Sequence, residues 1–478
     1  MSTTVSAATI IQVIPRLDAG GAELATLEIA GALTRAGARP LILTAGGRLA
    51  PEIERAGGEI VAFPAASKNP RQMLRNARAM ARMIRERGVE LVHARSRAPA
   101  WSALAAARMT GAAFVTTYHG AYSEGPPFKR FYNSVMARGD RVIANSGFTA
   151  RLIRERYPRV GDRLRIIHRG VDLSAFEPEA VSAPRVAALR RAWGVPEGAR
   201  IVLHAARLTG WKGQRVVIDA AAALSGISAV RDTVFVLAGD PQGRAAYVQE
   251  LEGRIAQAGL NGRVLLVGHC ADMPAAYKAA HVSVIASTEA EAFGRASAEA
   301  QAMGCPVVVS DQGASPETIR PAGQVPEERM TGWVVPVGDA AALAGALCDA
   351  LCLSPRLRQH MGREARAFVM STFTADAMKQ ATLAVYDELI GSALRQSYRD
   401  AAPPAAVRRA ETGPRPAAPR ATAEKTAAAA PPPAAKPKPP KPPEASAGRR
   451  KSPARPASAP KKRPRGGRGR KPKTGKEG

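Results

Sequence analysis

Short, almost unbroken apolar runs alternate with longer stretches of helical periodicity through most of this sequence, and that alternation leaves very few folds open. In the first half the runs are Thr9–Ile14, Leu41–Thr44, Glu59–Phe63, Glu90–His93, Phe114–Tyr118, Arg141–Asn145 and Leu164–His168. In the second half they are Arg200–Ala205, Thr233–Ala238, Arg263–Val267, Val282–Ala286, Pro306–Val309 and Trp333–Pro336. A run that is apolar on both faces suits a parallel strand covered by helices on both sides. Helical patterns fill the gaps at Ala22–Arg35, Pro70–Arg87, Gly147–Arg156, Gln214–Leu224, Ala245–Ala258 and Arg295–Met303. The alternation predicts an α/β chain of doubly wound parallel sheets.

The pattern breaks around Phe176–Arg200, where Pro178, Pro184, Pro196 and Gly198 interrupt it and a short helix fits between. We read a first Rossmann-like domain over 1–180, a linker over 181–199 and a second domain over 200–375. A helix over 376–398 is expected to pack back on the first domain. Ligands of such sheets bind outside the carboxyl ends of the strands, so two facing sheets place a site in the cleft between them.

The end of the chain is different in kind. Residues 401–478 hold 21 Lys and Arg against 4 Asp and Glu, a net +17 of the chain's +29. They also hold 18 of its 38 prolines and no aromatic residue. Such a segment has too little apolar surface to offset the entropy of ordering, so residues 399–478 are expected to be a disordered basic tail. Its Lys-Arg-Pro-Arg run suits an anionic surface or, as a lesser reading, nucleic acid.

Four cysteines, Cys270, Cys305, Cys348 and Cys352, are too few for a disulfide framework in 478 residues. Cys348 and Cys352 lie one helical turn apart with His360 beyond, but without a fourth ligand we read them as core thiols and expect no metal. No charged n-region precedes an apolar core at the N-terminus, and no apolar run reaches membrane-span length. The expected location is the cytoplasm.

Three motifs carry chemistry. Gly20-Gly21 follows the first strand and opens a helix, where bare backbone and free amides suit an anion. It is not the G-x-G-x-x-G dinucleotide pattern. Arg207 and Lys212 follow the first strand of the second domain, and two fixed cations there suit a diphosphate. Glu291 and Glu299 flank Phe293-Gly294-Arg295, so one carboxylate lies in a loop and the other a turn inside the following helix. Carboxylates accept well from sugar and ribose hydroxyls, and the amides after Gly294 can meet phosphate.

Taken in order, these motifs resemble the retaining GT-B glycosyltransferases often called group 1, and the resemblance covers about residues 8–395. His119-Gly120, Asn145-Ser146, Gly170-Val171-Asp172 and Gly332-Trp333-Val334-Val335-Pro336 add to it. It implies a GT-B fold, a nucleotide-sugar donor as substrate with no further cofactor, a glycan or lipid-linked acceptor, and retention at the anomeric carbon. It implies that Glu299 binds the donor ribose and Glu291 the donor sugar. Arg207 and Lys212 neutralise the diphosphate, helped by Gly20, Gly21 and the backbone of Phe293, Gly294 and Arg295, and His119 lies beside the reacting carbon. Two glycines of many relatives are alanine here, Ala292 and Ala314. A nucleotide-sugar epimerase of the same plan is the competing enzyme.

Two basic stretches sit in the first domain. Arg71, Arg75, Arg78, Arg82 and Arg85 share one helix face, and Pro127–Tyr132 mixes Lys129 and Arg130 with aromatic residues. Both suit an anionic membrane surface and a lipid-linked or lipopolysaccharide acceptor.

Overall fold

The computed structural model describes residues 7–18, 20–122 and 127–402. The first domain is built on β1 (Thr9–Val13), β2 (Arg39–Thr44), β3 (Glu59–Ala62), β4 (Val89–Ala94), β5 (Ala113–Tyr118), β6 (Arg141–Ala144) and β7 (Leu164–Ile166). They form one parallel sheet in the order β3-β2-β1-β4-β5-β6-β7. Its helices are α1 (Gly21–Arg35), α2 (Ala50–Arg55), α3 (Pro70–Arg87), α4 (Arg97–Thr110), α5 (Pro127–Asn133) and α6 (Gly147–Arg156).

The second domain repeats the plan with α7 (Ala183–Ala192), β8 (Arg200–Ala205), α8 (Gln214–Ala223), β9 (Thr233–Ala238), α9 (Ala245–Gln257) and β10 (Val264–Gly268). It continues through α10 (Met273–Ala279), β11 (Val282–Ile285), α11 (Arg295–Ala302), β12 (Val307–Ser310), β13 (Gly332–Val335), α12 (Ala340–Cys352) and α13 (Pro355–Thr372). The sheet is parallel in the order β10-β9-β8-β11-β12-β13. Ile10, Ile11, Leu91, Val92, Val202, Leu203, Val307 and Val308 are fully buried, since helices cover both faces of each sheet. Two doubly wound sheets are what the apolar runs required.

Three boundaries differ from the sequence reading. The segment 181–199 is not a free linker: Val181, Leu189 and Val195 join the core of the second domain, and Arg185 grips Asp272 through two hydrogen bonds of 2.6 and 2.7 Å. The single helix over 376–398 is two, α14 (Ala375–Ile390) and α15 (Leu394–Asp400). Gly391, left-handed at φ +63°, ends α14, and the Asp387 carboxylate accepts from Leu394 N and Arg395 N at 2.7 and 2.9 Å to start α15. Helix therefore runs into what was read as tail; residues 403–478 lie outside the described residues.

The last two helices belong to the first domain's core. Met378, Leu383, Tyr386, Leu394 and Tyr398 pack with Ile10, Ile29 and Leu33. Below them His93 Nδ1 meets Tyr386 Oη at 2.6 Å, and its Nε2 meets Thr117 Oγ1 at 2.7 Å. The chain crosses between domains at 170–176 and returns at 372–375. There Val171 N donates to Phe373 O at 2.8 Å and Ala375 N to Val171 O at 2.9 Å. Among the described residues no single helix is long and apolar enough to cross a membrane. Of the cysteines only Cys305 is fully buried; Cys352 is exposed, because it ends α12 on the solvent side. Reading Cys352 as a core thiol is thereby corrected, while Cys348 is partly buried and packs against the second domain's core.

Candidate functional site

Strand order reverses beside β1 in the first sheet and beside β8 in the second. Loops leaving neighbouring strands there diverge and open a crevice at the carboxyl ends. Gly20 and Gly21 follow β1, Arg95 follows β4, His119 follows β5 and Arg169 follows β7. On the other side, Arg207 and Lys212 follow β8, and the loop 286–294 follows β11 and feeds α11.

On the first side Arg169 is the central group, only 8% exposed. One of its terminal nitrogens donates to Gly21 O and lies 2.8 Å from His119 Nδ1. Burial lowers its guanidinium to about 9, still protonated at neutral pH. Burial, and then the charge of Arg169, hold the His119 imidazole well below its ordinary value, so the ring is neutral. Arg95, also buried, donates to Gln12 Oε1, while Gln12 Nε2 donates to Thr26 O at 3.2 Å and ties the group to α1. Glu23 and Glu28 on α1 supply the opposing charge around Arg169.

On the second side Lys212 Nζ and Glu291 Oε1 form an ion pair, each side chain about one-seventh exposed at 15% and 14%. Ser287 Oγ donates to the same carboxylate oxygen at 2.6 Å. Lys212 also sits 4.2 Å from the centre of the Trp211 ring, a cation–π contact that limits where the ammonium can go. Gly213 makes this possible. At φ +80° it turns the chain into α8, and a Cβ there would lie 1.8 Å from Ala286 O. Gly313 plays the same part for Glu291: its φ is +66° and a Cβ would lie 2.3 Å from Glu291 O. Its neighbour Ala314 donates its N–H to Glu291 O at 2.9 Å.

Gly294, left-handed at φ +94°, starts α11, and no side chain caps that helix end. Its foremost amides therefore have no partner from a capping side chain and present the positive end of the helix to the loop. Glu299, one turn in, accepts from Arg295 Nε at 2.6 Å, and Arg295 lies 3.9 Å from Glu28 of the first domain. Further contacts join the domains. Thr149 Oγ1 donates to Ala292 O at 3.3 Å, and Glu317 accepts from Gly147 N at 2.8 Å and from Arg151 at 3.2 Å.

Lys212, Glu291, Gly294, Arg295 and Glu299 are thus gathered on the second side, and Gly20, Gly21 and His119 on the first. Arg207 is exposed and makes no ion pair among the described residues; its backbone carbonyl accepts from Gln214 Nε2 at 2.9 Å. The Phe293 side chain is core, edge-on to Phe373 at 5.3 Å, which leaves only its backbone to the site. Arg169, Arg95, Ser287 and Glu317 were not singled out from the sequence. The one signal for Arg169 was its place against Gly170-Val171-Asp172 at the end of a strand. Among the described residues no three His, Cys, Asp or Glu side chains group to hold a metal.

Two doubly wound α/β domains, with a Lys/Glu pair and an uncapped helix end at the carboxyl ends of the second sheet's strands, define the class of protein. The domain Glycosyltransferase Family 4 matches residues 19–175, and Glycosyl transferases group 1 matches residues 186–368. A solved glycosyltransferase from Rickettsia africae ESF-5 is 32% identical with a TM-score of 0.73, over 81% of this chain and all of that one. The chain belongs to the glycosyltransferases of this two-domain, GT-B-like kind. It is also similar to the D-inositol 3-phosphate glycosyltransferase of Salinispora arenicola, 31% identical over 265 residues, 54% of this chain and 57% of that protein. With the Mycobacterium bovis counterpart the covered share is 50%, so the chain spans little more than half the length of the curated relatives it matches. Anabaena Alr3699/HepE, solved with UDP-glucose, shares the fold at TM-score 0.67 and 23% identity, over 80% of this chain and all of that one.

Proposed function

We propose that this protein transfers a hexose-type sugar from a nucleoside-diphosphate sugar to a glycan or lipid-linked acceptor, with retention, in cell-envelope polysaccharide or lipopolysaccharide synthesis. The observation that carries the reading is the Lys212–Glu291 pair beside the uncapped start of α11, set across from His119 and Gly21. Negative charge grows on the departing diphosphate as the glycosidic bond breaks. A preplaced ammonium and helix-end amides stabilise that charge more than they stabilise the bound donor, which is what lowers a barrier. They supply the positive charge that a divalent metal supplies elsewhere, so the reading is of a metal-independent enzyme. Glu291 would give up part of its bond to Lys212 to accept from sugar hydroxyls, and Glu299 would accept from the ribose. Arg207, exposed at the mouth, would swing onto the diphosphate.

The test begins with a thermal-shift screen of nucleotide sugars, UDP-glucose among them, because a ligand of the folded state raises its stability. Product analysis follows with the donor that binds. Release of nucleoside diphosphate only when acceptor is present supports the transferase; interconversion of the donor alone supports an epimerase and overturns it. Lys212→Ala is expected to lower turnover by about 10²–10³-fold, the usual effect of removing one such group.

The same reading places the first domain against an anionic membrane. Phe128 and Phe131 are 73% and 61% exposed on α5 with the exposed Arg130, and Leu74 is 52% exposed on α3 with the exposed Arg71, Arg75, Arg78 and Arg82. Exposed aromatic rings among arginines suit the headgroup region, and the chain would then work at the inner face of the plasma membrane. The full chain should sediment with anionic vesicles at low salt. Replacing Arg71, Arg75, Arg78 and Arg82 by Gln should weaken binding by up to about 10³-fold, at about 1 kcal/mol per cation. Deleting 401–478 should weaken it without changing turnover.

A further inference from the structure

We infer that Arg169 is a positioning residue that fixes His119 with its proton on Nε2, so that His119 meets the substrate as a hydrogen-bond donor and not as a base. This rests on the transferase reading for its purpose, but not for its chemistry. A guanidinium has five N–H donors and no acceptor. Arg169 uses both hydrogens of one nitrogen, one on Gly21 O and one on His119 Nδ1 at 2.8 Å. An N–H facing Nδ1 demands a lone pair there. The single proton of a neutral imidazole must then sit on Nε2.

Nε2 is buried and has no hydrogen-bond partner among the described residues. A buried N–H without a partner costs stability, so it persists where something outside the fold completes it. His119 stands at the carboxyl end of β5, on the same side of the crevice as Gly21 and joined to it through Arg169, where on the transferase reading a hydroxyl or phosphate oxygen of the donor is to be held. The groups acting on the ring are Arg169, Arg95 and His93, with Tyr122 near its backbone. The two arginines disfavour imidazolium and His93 is itself buried, so no facing group pulls a second proton onto His119. Arg169 is held in turn by burial and by Glu23 and Glu28. This makes the glycine pair, the arginine and the histidine one unit: Gly21 offers the carbonyl that orients the guanidinium, and the guanidinium orients the ring.

Long-range 1H–15N spectra of the full chain labelled in histidine test it, with His119→Gln identifying the His119 signals by their loss. The expected result is a neutral ring protonated on Nε2 that does not change from about pH 5.5 to 8. A ring protonated on Nδ1, or one that becomes imidazolium within that range, overturns the assignment. In Arg169→Met the ring should become a mixture of the two neutral forms and begin to titrate; an unchanged ring overturns it. The wild-type spectrum decides by itself if Arg169→Met does not fold. Turnover gives a second arm. The amide N–H of His119→Gln replaces Nε2–H, so this variant should keep at least about tenfold more kcat than His119→Ala, whose loss should reach ~10²–10³-fold. Equal losses overturn the donor role. An Nε2–H ring in a protein that turns over no nucleotide sugar would sink the transferase reading and leave the Arg169 assignment standing.

Discussion

Gly213 decides whether Lys212 can reach its partner. The backbone carbonyl of Ala286, at the end of β11, occupies the space where any Cβ would go, and φ of +80° disfavours every other residue as well. Gly213→Ala is expected to cost about 2–4 kcal/mol, from overpacking plus left-handed strain, read as a lower urea midpoint. It should also lower turnover beyond what the loss of folded protein explains, because the ammonium moves with the turn. Wild-type stability in this variant would mean that the contact with Ala286 is relaxed in solution. At this scale the sequence showed the anchors and hid their partners. Glu291, Glu299 and Lys212 stand in motifs with fixed spacing. Ser287, Arg95 and Arg169 do not, since what matters about them is burial and a bond to a residue far away in the chain. For Arg207, spacing gave its place after β8 and said nothing of its exposure.

Among the elements, α14 is the one that comes from the far end of the chain to complete the first domain. Tyr386 sends its hydroxyl into the first domain's sheet to meet His93 Nδ1, and His93 meets Thr117 of β5 with its other nitrogen. Tyr386→Phe leaves a buried ring nitrogen without its partner and should cost about 1–3 kcal/mol, measured by urea unfolding followed by circular dichroism. A change below a few tenths of a kcal/mol would show that another group serves His93. The strands were legible almost to the residue because both their faces are apolar. Helices whose solvent face is also largely apolar or small were not. α4 reads Ala-rich, and Ala100, Ala103, Ala106 and Ala107 are all buried against its neighbours, so no polar stripe marks its period. α12 has the same character, with Ala and Leu nearly all round. The break at Gly391 was missed because a glycine inside a periodic stretch reads as a tolerated defect until Asp387 is seen to start a new helix beside it.

For the molecule as a whole, the question is what holds the two domains at this separation. Glu317, from the loop after β12, accepts from the first amide of α6 and pairs with Arg151. A carboxylate at a helix N-terminus is worth roughly 0.3–1 kcal/mol when partly exposed. Glu317→Ala should therefore favour a more open arrangement, with a larger radius of gyration in solution scattering and a KM for the donor raised up to about fivefold. Unchanged scattering and KM would assign the contact to local packing alone. Charge is distributed unevenly over this larger frame, with a net +12 left on residues 1–400 when the final 78 are set aside.

The paired crossing near Val171 and Thr374 has one more consequence. The outgoing and returning chains are hydrogen-bonded side by side, and Gly170 lies so close to Ala375 that a Cβ would fall 2.3 Å from its Cα. The two halves are thus bound like the covers of a book along a single spine. A turn about that line would move the far lips most and the spine hardly at all, so one rotation would shift Lys212 and Glu291 together relative to His119 and Arg169. On the transferase reading, loading and release of the donor would then share one motion, set by a seam that touches neither sugar nor phosphate.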